Sequence, residues 1–310
     1  MSELDHLNFL TPSYRGDLDR FLLLRRSIRR FALDAVEHVV AVPRADITRF
    51  RDRLVGDDGV RVEAQQDVVS PQFYARAWVP AVRKMLGHHA WRLDRSRYAG
   101  RPGWIVQQIV KLSAPEFFGD GAVCTVDSDL LFVRPFSRAD LLPDGPVRVL
   151  LRVDPADESA MHRDHMRDAR RLLGLPPGPT DHHYMACPAV FYGEWVRQLR
   201  ARLEQVHGKP WQRVLREAET LSEYLLYGVF IEEVLRPVGL QVRRTPFHVG
   251  VWCLDDASRL ASDPVGYVRS APNAPLSMVF QSNLGLGVGE YRDAVETLLA
   301  HCHEPEGHPG

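Results

Sequence analysis

The stretch AVCTVDSDLLFVRPF, residues 122–136, places Asp127 and Asp129 between two apolar runs. The chain contains 24 aspartates, whose random placement predicts about two Asp-x-Asp triplets in 310 residues. Two are present, the other being Asp17-Leu18-Asp19. The triplet by itself therefore carries little information, and its surroundings decide whether it forms a site. At the end of a buried strand, two carboxylates would supply the hard oxygen ligands that Mg²⁺ and Mn²⁺ prefer.

The surrounding elements alternate as they do in a parallel α/β sheet. Apolar runs predict strands at residues 7–10, 37–42, 60–69 and 122–126. Helical spacing predicts helices over residues 17–31, 44–55 and 104–112. Asp127 and Asp129 follow the fourth of these strands, and the helix before it carries Gln107 and Lys111 on one face. Because such sheets bind ligands beyond the carboxyl ends of their strands, the two aspartates stand where a site is expected, and Lys111 could offset phosphate charge there.

Polar residues 154–181, which include the breaker LPPGPT, separate this part of the chain from the next. Further strands are predicted at residues 147–153, 240–247 and 275–283, the last two as a pair. Further helices are predicted at residues 158–173, 194–206 and 211–219, and one more begins after Ser222 as its N-cap. The segment LGLGVGE, residues 284–290, is typical of a flexible turn and does not match a dinucleotide-binding loop.

Composition narrows the class of protein. The net charge is −1 and the sequence pI is about 6.9, which argues against a nucleic-acid protein that relies on a general positive field. Four cysteines lie far apart, so neither a zinc site nor a disulfide framework is indicated, and Cys124 and Cys253 are expected in the core. With no signal peptide and no membrane span in the sequence, the expected location is cytoplasmic.

The order of FLTPSY, GWIVQQIVKL, VDSDLLFVRPF, YMACP and SEYLLYG resembles glycosyltransferases of the GT-A fold, and among them a bacterial family of glycosyltransferase-like proteins. The resemblance spans roughly residues 7–285. It implies a Rossmann-like α/β fold with a mixed, mostly parallel central sheet flanked by helices. Residues 1–153 would form the half that binds the donor, residues 154–300 the half that binds the acceptor, and residues 301–310 a flexible tail.

The resemblance also implies an activity: metal-dependent transfer of a sugar from a nucleotide-diphosphate sugar to a hydroxyl of a small metabolite or glycan. Mn²⁺ or Mg²⁺ would be the cofactor. A homodimer is compatible with the sequence. Asp129 would bind the metal, Asp127 the metal or the ribose, and Lys111 would face the diphosphate. The remaining implied donor-site residues are Thr11, Ser13, Tyr14 and Asp17 near the nucleoside, with Gln281 and Ser282 after the last strand.

Two further residues have competing interpretations. His248 would be an additional metal ligand under the resemblance, whereas the residues alone favour a partly buried histidine that packs or forms hydrogen bonds. Glu223 would be the base on the acceptor side, whereas a carboxylate in the first turn of a helix is also favoured by the helix dipole. A retaining reaction would give Glu223 a different role. Glu232 and Glu233, farther along the same helix, are expected on a solvated face.

Three other functions remain as alternatives. A phosphatase of the haloacid-dehalogenase type also places Asp-x-Asp after a strand, and Asp255 and Asp256 would supply its later acidic pair, with Lys209 as the phosphate-binding lysine. Leu131 stands where that class usually has Thr or Val, and the motif comes late in the chain. A non-catalytic nucleotide-sugar-binding protein would bind donor without turnover. A nucleotidyltransferase would need an early glycine-rich loop, and residues 7–20 contain only Gly16.

Overall fold

The computed structural model describes residues 7–73, 102–142, 147–153, 160–218, 220–243, 248–271, 274–281 and 284–301. The strands are β1 Leu7–Pro12, β2 Val36–Val42, β3 Val60–Ala64, β4 Ala122–Thr125, β5 Leu130–Phe132, β6 Arg148–Leu151, β7 Ala189–Tyr192, β8 Leu240–Arg243, β9 His248–Val251 and β10 Ser277–Phe280. The central sheet has five strands in the order β3-β2-β1-β4-β7. Its first four strands are parallel and β7 runs antiparallel to β4. The predicted mixed, mostly parallel sheet is thereby confirmed.

The helices flank this sheet. They are α1 Leu18–Phe31, α2 Ile47–Arg53, α3 Pro102–Lys111, α4 Ala114–Phe118, α5 Arg138–Leu141, α6 Ala160–Leu172, α7 Gly193–His207, α8 Trp211–Arg216, α9 Glu223–Val229, α10 Leu254–Ser262, α11 Pro264–Arg269 and α12 Val288–Ala300. A π-helical segment, Phe230–Leu235, continues α9, and 3-10 turns lie at Arg15–Asp17, Arg44–Asp46, Gln65–Asp67 and Pro71–Phe73. In the described part of the chain, no helix has the length and apolar character needed to cross a bilayer.

Two smaller sheets accompany the central one. β10 pairs antiparallel with β5 and parallel with β9, and β6 pairs parallel with β8. The prediction that the strands near residues 240 and 277 form a pair was therefore wrong, because each finds its partner elsewhere in the chain. Strands β7 and β9 and helices α10 to α12 were not predicted. The last of these helices begins at Val288, inside the segment expected to be a flexible turn.

The core lies between the central sheet and its helices, and strands buried on both faces read as continuous apolar runs. In β2, Val39 to Val42 are fully buried, and Phe9 of β1 packs against Phe132 of β5 with 5.6 Å between ring centroids. Cys124 is buried as expected, whereas Cys253 is exposed at the N-cap of α10 and that prediction was wrong. Apolar neighbours in sequence did not place Cys253 in the core because the chain leaves β9 there and turns into a surface helix.

Candidate functional site

The Asp127-Ser128-Asp129 segment joins β4 to β5 and is held by neighbours on both sides. The Ser128 hydroxyl donates to the Ser13 hydroxyl at 2.9 Å, which connects the segment to the end of β1. The backbone NH of Phe280 donates to the carbonyl of Asp129 at 3.0 Å, which connects it to the end of β10. The two aspartates therefore stand in a fixed turn at the carboxyl edge of the central sheet, where the sequence predicts them.

The ammonium of Lys111 lies at the centre of a buried polar cluster. Its Nζ is 2.8 Å from Asp127 Oδ1 and 2.7 Å from Glu223 Oε1, and it donates to the Tyr224 hydroxyl at 2.7 Å. The Tyr224 hydroxyl in turn donates to Asp127 Oδ2 at 3.3 Å. Since one ammonium contacts both carboxylates, Asp127 Oδ1 and Glu223 Oε1 lie no farther apart than the sum of these two distances.

Glu223 is positioned by more than its place in the first turn of α9. Ser222 is the N-cap, as predicted, and its hydroxyl accepts from the NH of Leu225 at 3.5 Å. The NH of Glu223 donates to Gln108 Oε1 of α3 at 3.0 Å, and its carboxylate is held by Lys111 of the same helix. Capping alone therefore does not account for Glu223, because α3 fixes both its backbone and its side chain.

Burial and charge shift the pKa values of this cluster in different directions. Burial alone would lower the pKa of Lys111, but the carboxylates of Asp127 and Glu223 outweigh it and hold that pKa well above its usual range. Burial raises the pKa of Glu223, with Lys111 opposing the shift. Lys111 therefore stays charged, and Glu223 binds a proton more readily than an exposed carboxylate does.

Asp129 has an unusual electrostatic environment. Burial, and then the charges of Asp127 and Asp17, raise its pKa from 3.8 to about 7, while Arg20 opposes them. Burial also raises the pKa of Asp17, whose carboxylate pairs with Arg20 at 3.3 Å. In the described part of the chain Asp129 has no ion-pair partner, so three carboxylates face one guanidinium here.

An open cleft of about 280 Å³ gives access to these groups, and we call it the acidic cleft. Its polar wall is formed by Asp17, Arg20, Lys111, Asp127, Asp129 and Glu223. Its apolar wall is formed by Trp104, Met161 and Met185. Met161 is 52% exposed, and Trp104 stacks on His165 with ring centroids 6.2 Å apart. One cleft thus combines charged groups, which can bind ions or transfer protons, with an apolar surface that can contact a ring or an alkyl group.

The oxygen ligands suit a hard divalent cation, although the described residues do not supply a complete site. Among the described residues, no group of three or more His, Cys, Asp or Glu side chains is arranged to hold a metal ion. Asp129 is free of cationic partners there, whereas Asp127 shares its carboxylate with Lys111. Two carboxylates with the remaining positions left to substrate phosphates and water are the arrangement that Mg²⁺ commonly adopts. The donor set therefore fits Mg²⁺ or Mn²⁺ in its chemistry.

Three of the predicted donor-site residues, Thr11, Ser13 and Tyr14, do not line the acidic cleft. Thr11 is fully buried, and its hydroxyl lies 2.9 Å from Nε2 of the equally buried His38. Ser13 is buried behind Ser128, which it supports. Tyr14 is 46% exposed, and its ring covers Gly16 so closely that a Cβ there would lie 2.5 Å from Tyr14 Cε2. Their nucleoside contacts stay predictions, and for Thr11 and Ser13 the side chains already have partners in the protein.

Of the residues predicted from the last strands, neither His248 nor Gln281 lines the acidic cleft. His248 is the first residue of β9 and pairs with Ser277, the first residue of β10. Asp129 contacts Phe280, which is at the opposite end of β10. Burial lowers the pKa of His248 to about 4, and its ring contacts Trp252. Gln281 is held by backbone bonds with Val251 and Leu284, and Ser282 lies outside the described residues. The structure does not bring His248 to the carboxylates, and its metal role stays a prediction.

Other functional groups of the cleft were not predicted. Arg20 lies one helical turn after Asp17, a spacing that could have indicated their ion pair. Gln108 and Tyr224 reach the cluster only through the packing of α3 against α9, for which the sequence carries no local signal.

Glu232 and Glu233 are not on a solvated face, so that prediction was wrong. Glu232 pairs with Arg152 and accepts from the Tyr184 hydroxyl at 2.8 Å, and Glu233 pairs with Arg170 at 2.5 Å. The π-helical continuation of α9 presents both carboxylates to basic residues from the preceding part of the chain. These pairs anchor the far end of the helix that begins with Glu223.

The residues on which the phosphatase alternative depends are dispersed. Asp256 accepts from the NH groups of Trp252 and Cys253 at 2.9 and 3.2 Å and thereby caps α10. Lys209 forms a surface pair with Glu217 at 2.7 Å. Within the described residues neither group lines the acidic cleft, so Asp127 and Asp129 lack the partners that this alternative requires.

Comparison with known proteins relates the chain to one family and to several solved structures. The sequence profile described as "Family of unknown function (DUF6492)" matches residues 7–242. No curated protein matches the sequence. The apo bifunctional glycosyltransferase WbbM is 15% identical with a TM-score of 0.52, and the match covers 96% of this chain and 50% of that one.

Two further solved structures are similar over nearly their full length. An active-site mutant of LgtC is 12% identical with a TM-score of 0.50, covering 96% of this chain and 98% of that one. LgtC is a galactosyltransferase. Apo mouse xyloside xylosyltransferase 1 is 10% identical with a TM-score of 0.49, covering 91% and 100%. WbbM and the LgtC mutant show that this chain has the mixed α/β GT-A fold of these enzymes.

Proposed function

Because the chain belongs to the family of unknown function DUF6492, whose description names no activity, we propose its function from the acidic cleft. The proposed function is metal-dependent transfer of a sugar from a nucleotide-diphosphate sugar to a hydroxyl of a small metabolite or glycan. The observation that carries it is the convergence of Asp127, Asp129 and Glu223 at one cleft, with Lys111 between two of them. A fold shared with glycosyltransferases supports the proposal.

On the donor side, Asp129 and Asp127 would hold Mg²⁺ or Mn²⁺ together with the diphosphate. When bound, the cation would offset the negative charge that develops on the leaving diphosphate. Arg20, which pairs with Asp17 and donates to the carbonyl of Leu286, lines the same part of the cleft and would add positive charge beside the diphosphate. Lys111 has a positioning role, because its ammonium donates to Asp127, Glu223 and the Tyr224 hydroxyl and so orients the two carboxylates.

On the acceptor side, Glu223 would take the proton of the attacking hydroxyl. The acceptor oxygen then bonds to the anomeric carbon as the bond from that carbon to the diphosphate oxygen breaks, and the proton passes to Glu223. A pKa raised by burial makes Glu223 a stronger base than an exposed carboxylate. The apolar wall formed by Trp104, Met161 and Met185 would contact the ring of the acceptor.

This assignment joins the two proposed halves of the domain. Lys111, Asp127 and Asp129 come from residues 1–153, the proposed donor half. Glu223, Met161 and Met185 come from residues 154–300, the proposed acceptor half. Lys111 therefore connects the two halves at the point where donor and acceptor would meet.

Incubation of the purified protein with a panel of nucleotide sugars and Mn²⁺ tests the proposal. We expect release of free nucleotide with at least one donor, and stronger release when a suitable acceptor is added. Asp129→Ala should abolish metal-dependent donor binding. The matched control is Asp120→Ala, which removes an exposed carboxylate elsewhere on the surface. Donor binding without any turnover would instead support the non-catalytic binding protein. Release of phosphate from phosphomonoesters would support the phosphatase, and no donor binding at all would refute the proposal.

A further inference from the structure

A second cavity of about 300 Å³ lies beside α1, against α2 and α12. Five arginines line it, and we call it the arginine cavity: Arg25, Arg26, Arg29, Arg53 and Arg292. None of these five lines the acidic cleft within the described residues. Its volume is close to that of the acidic cleft and to the lower range of small-molecule sites in proteins.

One of the arginines forms a rigid part of the wall. Arg25 is 5% exposed, and its Nε and Nη2 donate to the two oxygens of Asp57 at 2.7 and 2.6 Å. The backbone at Gly59 packs directly on this guanidinium, because a Cβ there would lie 2.6 Å from Arg25 Nη2. Because Asp57 and Gly59 hold it in place, Arg25 contributes a fixed positive charge to the wall of the cavity.

The carboxylates around the cavity do not balance its positive charge. Asp57 also pairs with Arg29 at 3.9 Å, Asp19 pairs with Arg53 at 3.7 Å, and Glu296 pairs with Arg26 at 2.5 Å. Three carboxylates face five guanidinium groups, which leaves an excess of two positive charges. The side chains of Arg29 and Arg53 are 61% and 55% exposed, so they are free to turn toward a ligand.

We propose that the arginine cavity is a second binding site, for a phosphate monoester carried by a small metabolite or by a lipid headgroup. A phosphate monoester carries nearly two negative charges at neutral pH, which matches the excess charge of the cavity. Guanidinium groups bind phosphate oxygens in pairs, and Arg29 and Arg53 would close on the ligand above the fixed Arg25. The exposed Val55 and the neighbouring Leu22 give the carrier group an apolar contact. The site does not depend on glycosyl transfer.

Titration of the full-length protein with inorganic phosphate, in EDTA to keep the acidic cleft free of metal, tests this site. Calorimetry and thermal melting should detect binding to the wild-type chain. The double variant Arg29→Gln/Arg53→Gln should weaken it about tenfold or more, since each lost charge-assisted hydrogen bond matters. Both side chains are largely exposed, so the variant should keep the wild-type circular dichroism spectrum. Arg197→Gln/Arg213→Gln removes two arginines elsewhere that are also about half exposed and pair with one carboxylate each, and it is the matched control.

Vesicles distinguish the two sources of the phosphate. Phosphatidic acid presents a phosphate monoester, whereas phosphatidylglycerol presents a diester and phosphatidylcholine no net charge. Cosedimentation with phosphatidic acid vesicles and not with the other two, lost in Arg29→Gln/Arg53→Gln, would identify a lipid headgroup as the ligand. Binding of inorganic phosphate without cosedimentation, also lost in that variant, would identify a soluble ligand. Binding that falls equally in both double variants, or in neither, would overturn the proposal. Failure of phosphate and of phosphatidic acid to bind would overturn it as well, without affecting the nucleotide-sugar assay.

Discussion

Lys111 Nζ lies 2.7 Å from Glu223 Oε1, although 112 positions separate the two residues in the sequence. The same ammonium lies 2.8 Å from Asp127 Oδ1. A residue that the sequence assigns to the diphosphate thus contacts both the proposed metal-binding segment and the proposed base. We infer that Lys111 positions these two groups, because all three of its donor contacts are to protein atoms.

Replacing Lys111 by methionine should destabilise the protein strongly. The Glu223 carboxylate would remain buried without a cation, and breaking a buried pair in this way typically costs about 3–5 kcal/mol in the free energy of unfolding. Urea denaturation measures the effect, and Lys111→Met/Glu223→Gln should recover part of the loss. The matched control Lys209→Met breaks an exposed pair with Glu217 and should cost less than about 1 kcal/mol. Equal effects in both lysine variants would contradict the central role of Lys111.

Asp129 should make the metal-free protein less stable as pH rises. Its pKa is about 7 in the folded protein and 3.8 for the ordinary side chain, so the folded state holds its proton more tightly. The stability that this proton provides is complete below about pH 4, falls between about pH 4 and 7, and is lost above about pH 7. Asp129→Asn should therefore raise the Tm at pH 8 by roughly 2–6 °C in EDTA, and change it little at pH 4.

The control for this pH effect is Asp120→Asn, which removes an exposed carboxylate paired with Arg197. Its Tm should move by less than about 1 °C at either pH, since exposed pairs contribute little. A stabilisation by Asp129→Asn that is the same at pH 4 and pH 8 would show that the carboxylate is not under electrostatic strain.

Thr11 should matter for stability and not for nucleotide binding. Its hydroxyl is the partner of His38, whose pKa burial lowers to about 3 and which therefore stays neutral in the core. Thr11→Val should cost about 1–3 kcal/mol in unfolding free energy, because a buried imidazole nitrogen loses its hydrogen bond. Thr11→Ser keeps the hydroxyl and should cost less. An increase in the Kd for donor with no loss of stability would restore the predicted nucleoside contact.

The fold was more predictable than the site. The strand before Asp127, the N-cap Ser222 and the early strand–helix alternation were visible in local spacing, because each depends on neighbouring residues only. The partners of Lys111, Glu232 and Glu233 were not visible, because each comes from an element distant in sequence. The antiparallel strand β7 was missed for the same reason: four apolar residues after Pro188 indicate a strand only once β4 is known to lie beside them.

Gly228 of the SEYLLYG motif packs against Tyr184 of the YMACP motif, and we expect that only glycine leaves room for the tyrosine ring. A Cβ at Gly228 would lie 2.0 Å from Tyr184 Cγ and 2.4 Å from both Cδ atoms, so the ring lies flat on this helical glycine. The ring is fixed at its other end, where its hydroxyl donates to Glu232. It therefore has little freedom to retreat from an added methyl group.

Gly228→Ala should accordingly destabilise the protein by about 1–3 kcal/mol, the usual cost of overpacking a core, despite the higher helix propensity of alanine. Gly289→Ala is the matched control, since that glycine lies in α12 with no atom within 4 Å of an added Cβ, and it should be neutral or stabilising. Chemical denaturation of both variants measures the difference. Two alanine variants of equal stability would mean that Tyr184 does not hold α9 in place. Because α9 also carries Glu223, Gly228→Ala should lower turnover more than it lowers donor affinity.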